Sequence, residues 1–280
     1  MKKLLLILIF ILITLNLYAQ TYPPKYFNHN KIKDCKNLLQ KYTLEQLSAM
    51  ISSGNFDDIY VGDYIEMEMT SDYGTEKVRW LVAGINYFAN SNNTGITDNH
   101  IVLVAESCLL TGRKMNSTSD TSGGFAGSNI FVNILPKYNN AIINAFGANH
   151  VITYNNLLTN SVDATIPSMA GDNYTGASNG WAFASTTLCL MSEPQLTGTL
   201  LYSSSFYDIG TNNSQFPIFA QIPYLINTGR GFNNSNSASI GYWLSSVVNS
   251  ARFAVVYGYG YVYHATAASA YSLRPYFLFK

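Results

Sequence analysis

Charge is scarce in this chain. Only 11% of the 280 residues are charged, and 16 basic residues balance 16 acidic ones. Beyond Lys137 the basic residues thin out to Arg230, Arg252, Arg274 and Lys280. Because nucleic-acid-binding proteins normally present a basic face to the phosphate backbone, we expect no nucleic-acid partner. The rest of the chain is rich in Asn, Ser, Thr, Gly and Tyr, a composition typical of secreted recognition surfaces.

Cysteine is scarce as well. The chain has three cysteines, Cys35, Cys108 and Cys189, at wide spacing. Disulfide scaffolds are short and dense in cysteine, so we do not expect the fold to depend on a disulfide framework. Two alternatives stay open for Cys108 and Cys189: one bridge between them, or two buried thiols.

Clusters of metal ligands are missing from the sequence. A metal site would be indicated by paired ligands at a spacing such as H-E-x-x-H, but the four histidines are scattered at positions 29, 100, 150 and 264. The neighbouring carboxylates Asp57/Asp58 and Glu66/Glu68 fit solvated faces. We therefore predict no metal, no cofactor and no catalytic residue.

Two short motifs invite a functional interpretation that their context does not support. Residues 176–180, GASNG, match the G-x-S-x-G string of hydrolases, which needs a strand before the serine and a helix after it. The polar residues upstream predict a turn here instead. Glu193-Pro-Gln195 resembles the calcium-and-sugar loop of C-type lectins, in which carboxylate and amide oxygens chelate Ca²⁺. The Trp-Asn-Asp segment that completes such a site is absent, since the late tryptophan reads Tyr242-Trp-Leu-Ser245.

The amino-terminal segment has the pattern of a secretory signal. Met-Lys-Lys is followed by an apolar run from Leu4 to Leu17 and by the exit Tyr18-Ala19-Gln20. This pattern predicts a signal peptide over 1–19. The run is shorter than the roughly 20 residues that a spanning helix needs, so we expect no transmembrane segment after cleavage. The mature protein is predicted to be secreted, at the cell surface or in the periplasm.

The remaining chain is predicted to be one domain over 43–280, preceded by a lead-in over 20–42 with a short helix over 35–41. Thr43-Leu-Glu-Gln46 fits a capping box, and Gly54 is placed to end the helix that it starts, so we predict a helix over 44–53.

Beyond this helix the hydrophobic pattern changes period. Alternation and apolar runs predict strands at 64–69, 78–88 and 100–109, the last one central in its sheet. Residues 127–146 predict two helices separated at Pro136, and residues 153–240 predict a long irregular region. This order of elements indicates a loop-rich α+β fold.

The C-terminal region carries tyrosines at every second position, in ARFAVVYGYGYVYH (251–264). Gly258 and Gly260 favour a turn between two short strands, over 252–257 and 261–264. In this hairpin Phe253 and Val255 are predicted to point to the core, and the tyrosines to cluster at and beside the turn.

Several pieces in order resemble a bacterial and phage domain family of unknown function that adopts a C-type-lectin-like fold. They run from TLEQLSAMISSGNFDDIYVGDYIEM through VRWLVAGINYF, HIVLVAESCL, KMNSTSDTSGGFAGSNI, AFGANHVIT and LCLMSEPQLTG to GYWLSSVVNSARFAVVYGYG and YSLRPYF. The resemblance implies C-terminal antiparallel strands that display a binding face. The chain is also similar to variable target proteins of diversity-generating retroelements, which end in a Trp-containing strand, a mutable stretch and an Arg-containing strand.

On that similarity, Trp243-Leu244 and Leu273–Phe277 are the fixed strands, and the segment between them carries the ligand-binding positions. Departures from the family pattern are Ser245 and Ser272, where a basic residue and a glycine are usual. The implied binding positions are Ser246, Asn249, Ser250, Arg252, Tyr257, Tyr259, Tyr261, Tyr263, His264, Thr266, Ser269 and Tyr271.

Residues 244–279 contain no Lys, Glu, Gln, Met or Trp. This agrees with diversification at template adenines, although an ordinary strand rich in Tyr and Ser has the same composition. The function that we predict is a non-enzymatic recognition module for a protein or glycan ligand. Two alternatives are a structural component of a phage virion or cell surface, and an enzyme similar to formylglycine-generating enzymes. The enzyme would need a pair of active-site cysteines, and Cys108 and Cys189 sit in no such context.

Overall fold

The structure is a computed structural model that describes residues 33–89, 91, 94–168, 174–203, 214–223, 225–228, 241–258 and 260–280. The predicted signal peptide and most of the predicted lead-in lie outside these residues. Strands predominate, with 42% of the described residues in strands and 20% in helices, and the fold is mixed α and β with curled antiparallel sheets. None of the helices in the described ranges is long and apolar enough to cross a membrane.

The first helix confirms its sequence signals. α1 spans Leu44–Ser52. The Thr43 hydroxyl accepts from the Gln46 N–H at 3.2 Å, and the Gln46 side chain accepts from the Thr43 N–H at 2.9 Å. Gly54 follows with a φ of 73°, a left-handed conformation that favours glycine and ends a helix. The short helix predicted over 35–41 is a single 3₁₀ turn, Leu38–Gln40.

The larger sheet holds the predicted central strand and the C-terminus of the chain side by side. Its order is β1-β2-β3-β13-β5, with β8 also paired to β13. Every residue of β3 and of β13 is buried, as expected for strands covered on both faces. The bounds are β1 Tyr64–Ser71, β2 Gly74–Ile85, β3 Ile101–Ala105, β5 Val151–Ile152, β8 Leu188–Leu190 and β13 Pro275–Phe279.

The smaller sheet is built almost entirely from the C-terminal third of the chain. Its order is β11-β10-β9-β12-β4. The pairs are antiparallel except β12 with β9, which meet in parallel at Ser272 and Tyr242. The bounds are β4 Leu109–Lys114, β9 Tyr242–Asn249, β10 Arg252–Val256, β11 Val262–Thr266 and β12 Ala270–Leu273.

The predicted break at Pro136 is wrong. A π-helical turn, Ile130–Ile134, runs directly into α2, Leu135–Phe146. Pro136 lies in the first turn of α2, directly after the π-helical turn, and the first turn is the part of a helix in which proline is tolerated. α2 packs against β1.

The prediction of an irregular region over 153–240 is also wrong in its first part. β6, Tyr154–Pro167, and β7, Thr175–Thr186, form a long antiparallel hairpin. Its residues are mostly Thr, Ser, Asn, Ala and Gly, so the alternation that marks a half-buried strand is missing from the sequence. Three short helices follow in the described residues, namely α3 Glu193–Thr197, α4 Pro217–Gln221 and α5 Leu225–Thr228.

The core between sheet and helix is aromatic. Trp80 meets Phe146 and Phe277 edge to face, with ring centroids 6.5 and 4.9 Å away. All three side chains are essentially buried, and rings in this arrangement contribute about 0.5–1.5 kcal/mol per pair beyond their area burial.

No disulfide joins Cys108 and Cys189. The Cys189 thiol is buried and receives a hydrogen bond from the Asn156 amide at 3.4 Å. Burial raises the pKa of Cys189 to about 12, so this thiol stays protonated and unreactive at neutral pH.

Fully buried His100 makes the stability of the fold depend on pH. Its Nε2 accepts from the Phe88 N–H at 3.1 Å and its Nδ1 donates to the Asp98 carbonyl at 3.0 Å, which requires the neutral ring. Burial lowers the pKa of His100 from 6.5 to about 4. Between about pH 6.5 and 4 the unfolded chain therefore binds a proton at this histidine and the folded chain does not. Protonation favours the unfolded chain, so the free energy of unfolding falls as the pH decreases through this range.

We expect the free energy of unfolding to fall by about 3 kcal/mol over this pH window through His100. Urea unfolding of the wild type and of His100→Gln between these pH values measures it. The variant is expected to be less stable at neutral pH and to have a flatter pH profile. Parallel profiles for the two proteins would contradict this role of His100.

Candidate ligand-binding face

The predicted C-terminal hairpin is confirmed as a structural element. β10 and β11 pair in antiparallel register, with Val255 opposite Tyr263 and Val256 opposite Val262. In the turn the Tyr257 N–H donates to the Tyr261 carbonyl at 2.9 Å. Gly260 has a φ of 87°, which explains a glycine at this place in the turn.

The two strands of the hairpin differ in the exposure of their side chains, as the sequence predicts. Phe253 and Val255 are fully buried. Among the described tyrosines of the hairpin, Tyr261 and Tyr263 are the most exposed, at 53% and 38%. The hairpin is therefore anchored by its β10 side chains and presents rings to solvent near its turn.

Five tyrosines meet at this place, and we call Tyr202, Tyr257, Tyr261, Tyr263 and Tyr271 the tyrosine cluster. The ring of Tyr257 lies 5.4 Å from the rings of Tyr261 and Tyr263 and 6.0 Å from that of Tyr271. Tyr202 contacts Tyr263 at 5.5 Å. Rings that support one another in this way lose little freedom when a ligand contacts them.

Buried Trp243 lies under the tyrosine cluster. Its ring is 5.0 Å from that of Tyr271 and 6.4 Å from that of Phe253. The indole N–H donates to the Arg113 carbonyl at 2.8 Å, so the tryptophan links β9 to β4. Burial, followed by the hydrogen bond with Tyr257, raises the pKa of Tyr271. The Tyr271 hydroxyl therefore stays neutral at physiological pH.

The prediction that His264 is displayed is wrong. Its side chain is 3% exposed, because Tyr263 stacks on it at 4.2 Å and Tyr202 and Tyr174 cover its edges. Arg252 contacts the His264 Nδ1 through Nη1 at 2.9 Å. Burial, and then the charge of Arg252, lower the pKa of His264. The neutral ring accepts from Arg252 at Nδ1 and carries its proton on Nε2.

The prediction that Asn249 is displayed is wrong as well. This residue is 1% exposed and its Oδ1 accepts from the Ala251 N–H at 2.9 Å, which shapes the turn between β9 and β10. Its carbonyl accepts from the buried Thr121 hydroxyl at 2.7 Å. Asn249 therefore has a structural place beneath the surface.

The predicted serine and threonine positions are half-buried and engaged within the protein. The Ser246 hydroxyl accepts from the Glu193 N–H at 2.9 Å. The Ser250 hydroxyl donates to the Thr175 carbonyl at 3.0 Å. Thr266 and Ser269 share a hydrogen bond of 2.8 Å across the turn that follows β11. Tyr259, the remaining predicted position, lies outside the described residues.

Sequence reasoning missed Tyr202 and the residue that holds it. The carboxylate of Glu193 is fully buried and accepts from the N–H groups of Leu201, Tyr202 and Ser203 at 3.1–3.2 Å, and from the Ser203 hydroxyl. A signal for this arrangement is present in the sequence, since Ser192 and Gln195 form a capping box that starts α3. The Glu-Pro-Gln string marks this helix start.

The oxygens of Glu193 are thus occupied by backbone donors and do not face a calcium site. In the part of the chain that the structure describes, no group of three His, Cys, Asp or Glu side chains could hold a metal ion. Ser178 of the GASNG motif lies within β7, so the predicted turn is wrong. The strand continues past this serine to Thr186, and the strand-to-helix turn of a hydrolase nucleophile is not formed.

Comparisons of the chain with protein-family models, with curated proteins and with solved structures found no match.

Proposed function

We propose that this protein is a non-enzymatic recognition module of C-type-lectin-like type, secreted or held at a surface, that binds a macromolecular ligand through the tyrosine cluster. The observation that carries this proposal is the exposure of Tyr261 and Tyr263. On the other strand of the same hairpin, Phe253 and Val255 are fully buried. A ring that is half in solvent, rigidly supported and equipped with a hydroxyl group is a typical contact in protein recognition.

The energetics of the cluster favour binding over packing. Tyrosine buries a large area while only two side-chain torsions are fixed. In the cluster these torsions are already restricted by neighbouring rings, since Tyr257 alone contacts three others. A ligand that covers the exposed rings gains apolar burial of roughly 25 cal/mol per Å² and pays little ordering entropy.

The double variant Tyr261→Ala/Tyr263→Ala tests the proposal. The purified protein is first screened against a glycan array and a displayed peptide library, and the affinities of the hits are then measured by biolayer interferometry. We expect the double variant to lose at least about tenfold in affinity, which corresponds to about 1.4 kcal/mol.

The matched control is Phe183→Ala. Phe183 is an exposed ring on β7, at 40%, and it has no ring contact with the cluster among the described residues. Affinity should be unchanged in this variant. Equal affinity of the wild type and the double variant, or an equal loss in the control, would overturn the proposal.

A further inference from the structure

A cleft of about 290 Å³ opens where β4 meets the turn between β1 and β2. Its lining includes Tyr73, Glu76, Cys108 and Arg113. Arg113 lies directly opposite Tyr271 in the pairing of β4 with β12, and residues opposite each other in an antiparallel pair project from the same face of the sheet. The cleft therefore adjoins the tyrosine cluster.

The guanidinium of Arg113 has no acceptor in the parts of the chain that the structure describes. It stacks on the ring of Tyr73, with Cζ 4.4 Å from the ring centroid. Its Nε is buried and has no hydrogen-bond partner. A charged guanidinium that finds no acceptor within the protein is a donor group that a ligand acceptor would satisfy.

Arg79 differs from Arg113 in having carboxylate partners, although its Nε is also buried without a hydrogen-bond partner. Arg79 forms ion pairs with Glu66 and Glu106. Glu76, which shares the cleft with Arg113, accepts from the Tyr138 hydroxyl instead of pairing with it. The cleft therefore presents a planar cation fixed by an aromatic ring and, separately, a carboxylate with acceptor capacity left on its second oxygen.

We propose that the ligand of the tyrosine cluster is a protein that inserts an aspartate or glutamate side chain into this cleft, where the carboxylate pairs with Arg113. This inference rests on the proposed function and names the chemistry of its partner. A carboxylate matches the fork of donors on a guanidinium in two parallel hydrogen bonds. A neighbouring peptide N–H of the same partner supplies the donor for Glu76. Tyrosine and arginine together are also the residues most typical of the energetic centre of protein interfaces.

The experiment is a selection of a random displayed peptide library on the full purified chain. We expect the enriched peptides to share an aspartate or glutamate at a fixed position next to aromatic or aliphatic residues. Individual peptides are then measured against Arg113→Gln and against peptides in which the acid is replaced by its amide. Each change should weaken binding at least about tenfold, and the two together should weaken it little further, because both remove the same contact.

Two further variants separate this contact from general electrostatics. Lys114→Gln removes one positive charge from the next residue of β4, whose side chain is exposed, and should leave affinity nearly unchanged. Arg113→Lys keeps the charge without the fork, and should recover part of the loss. Thermal melting verifies that each variant is folded.

Peptides that lack a shared acid, yet lose affinity in Tyr261→Ala/Tyr263→Ala, would overturn the inference and leave the proposed function standing. Peptides that are indifferent to both Arg113→Gln and the tyrosine variant would overturn both. A selection without enrichment would overturn the inference of a protein partner, and binding on the glycan array would then decide the proposed function separately.

Discussion

Gly241→Ala is expected to destabilise the protein by about 3 kcal/mol or more. A Cβ atom at Gly241 would lie 1.8 Å from the Val256 carbonyl oxygen and 2.9 Å from the Tyr257 Cα. Both atoms belong to the backbone at the end of β10, so no side-chain rotation relieves the clash. β9 and β10 would have to separate, and close-packed interiors resist such shifts. Denaturant unfolding of the variant measures the loss.

Gly95→Ala is the control for this prediction. Gly95 has a φ of 73° and no atom lies within 4 Å of a Cβ built there, so the control reports backbone strain alone, about 1–2 kcal/mol. If Gly241→Ala were as stable as the control, this would contradict the close approach of Gly241 to the backbone at the end of β10.

Glu193→Gln is expected to cost about 3 kcal/mol and to weaken ligand binding at the same time. The substitution keeps the shape of the side chain but removes its charge and turns an acceptor into a donor. Three backbone N–H groups and one hydroxyl now bond to this carboxylate, and hydrogen bonds to charged groups contribute about 1.5–3 kcal/mol each. Tyr202 is one of these partners, so the tyrosine cluster loses a fixed member.

Glu45→Gln is the matched control, since Glu45 is an exposed residue of the first turn of α1. Its effect on stability should stay within about 0.5 kcal/mol. Unfolding curves and peptide affinities are measured for both variants. Unchanged stability in Glu193→Gln would mean that the carboxylate does not anchor residues 201–203.

Local signals in the sequence predict local structure well. The capping box at Thr43 and the apolar run of β3 each depend on neighbours within a few residues, and both elements form, although β3 ends at Ala105 and not at the predicted residue 109. The hairpin of β6 and β7 has no such signal, because its strands are held by pairing with each other and by docking on the body. Gly176 permits this docking, since a Cβ there would lie 2.3 Å from the Ser250 N atom.

The candidate site also combines features that the local sequence predicts with features that depend on distant residues. Alternating tyrosines around two glycines are visible in the sequence, and Tyr261 and Tyr263 are exposed as expected. The burial of His264 depends on Tyr174 and Tyr202, which come from distant parts of the chain. Tyr202 in turn depends on Glu193. Contacts of this long range cannot be read from residue spacing.

The central claim is that the exposed rings of the tyrosine cluster, Tyr261 and Tyr263, form a surface built for contact and are not part of the core. The most direct test is the free energy of unfolding of Tyr261→Ala/Tyr263→Ala, compared with that of Tyr276→Ala. Tyr276 is fully buried and shares a hydrogen bond of 2.9 Å with the Tyr154 hydroxyl, so its loss should cost about 3–5 kcal/mol. The double variant should lose clearly less than Tyr276→Ala, because its two rings are 53% and 38% exposed and bury only part of their area in the protein. A loss from the double variant as large as that from Tyr276→Ala would contradict the claim.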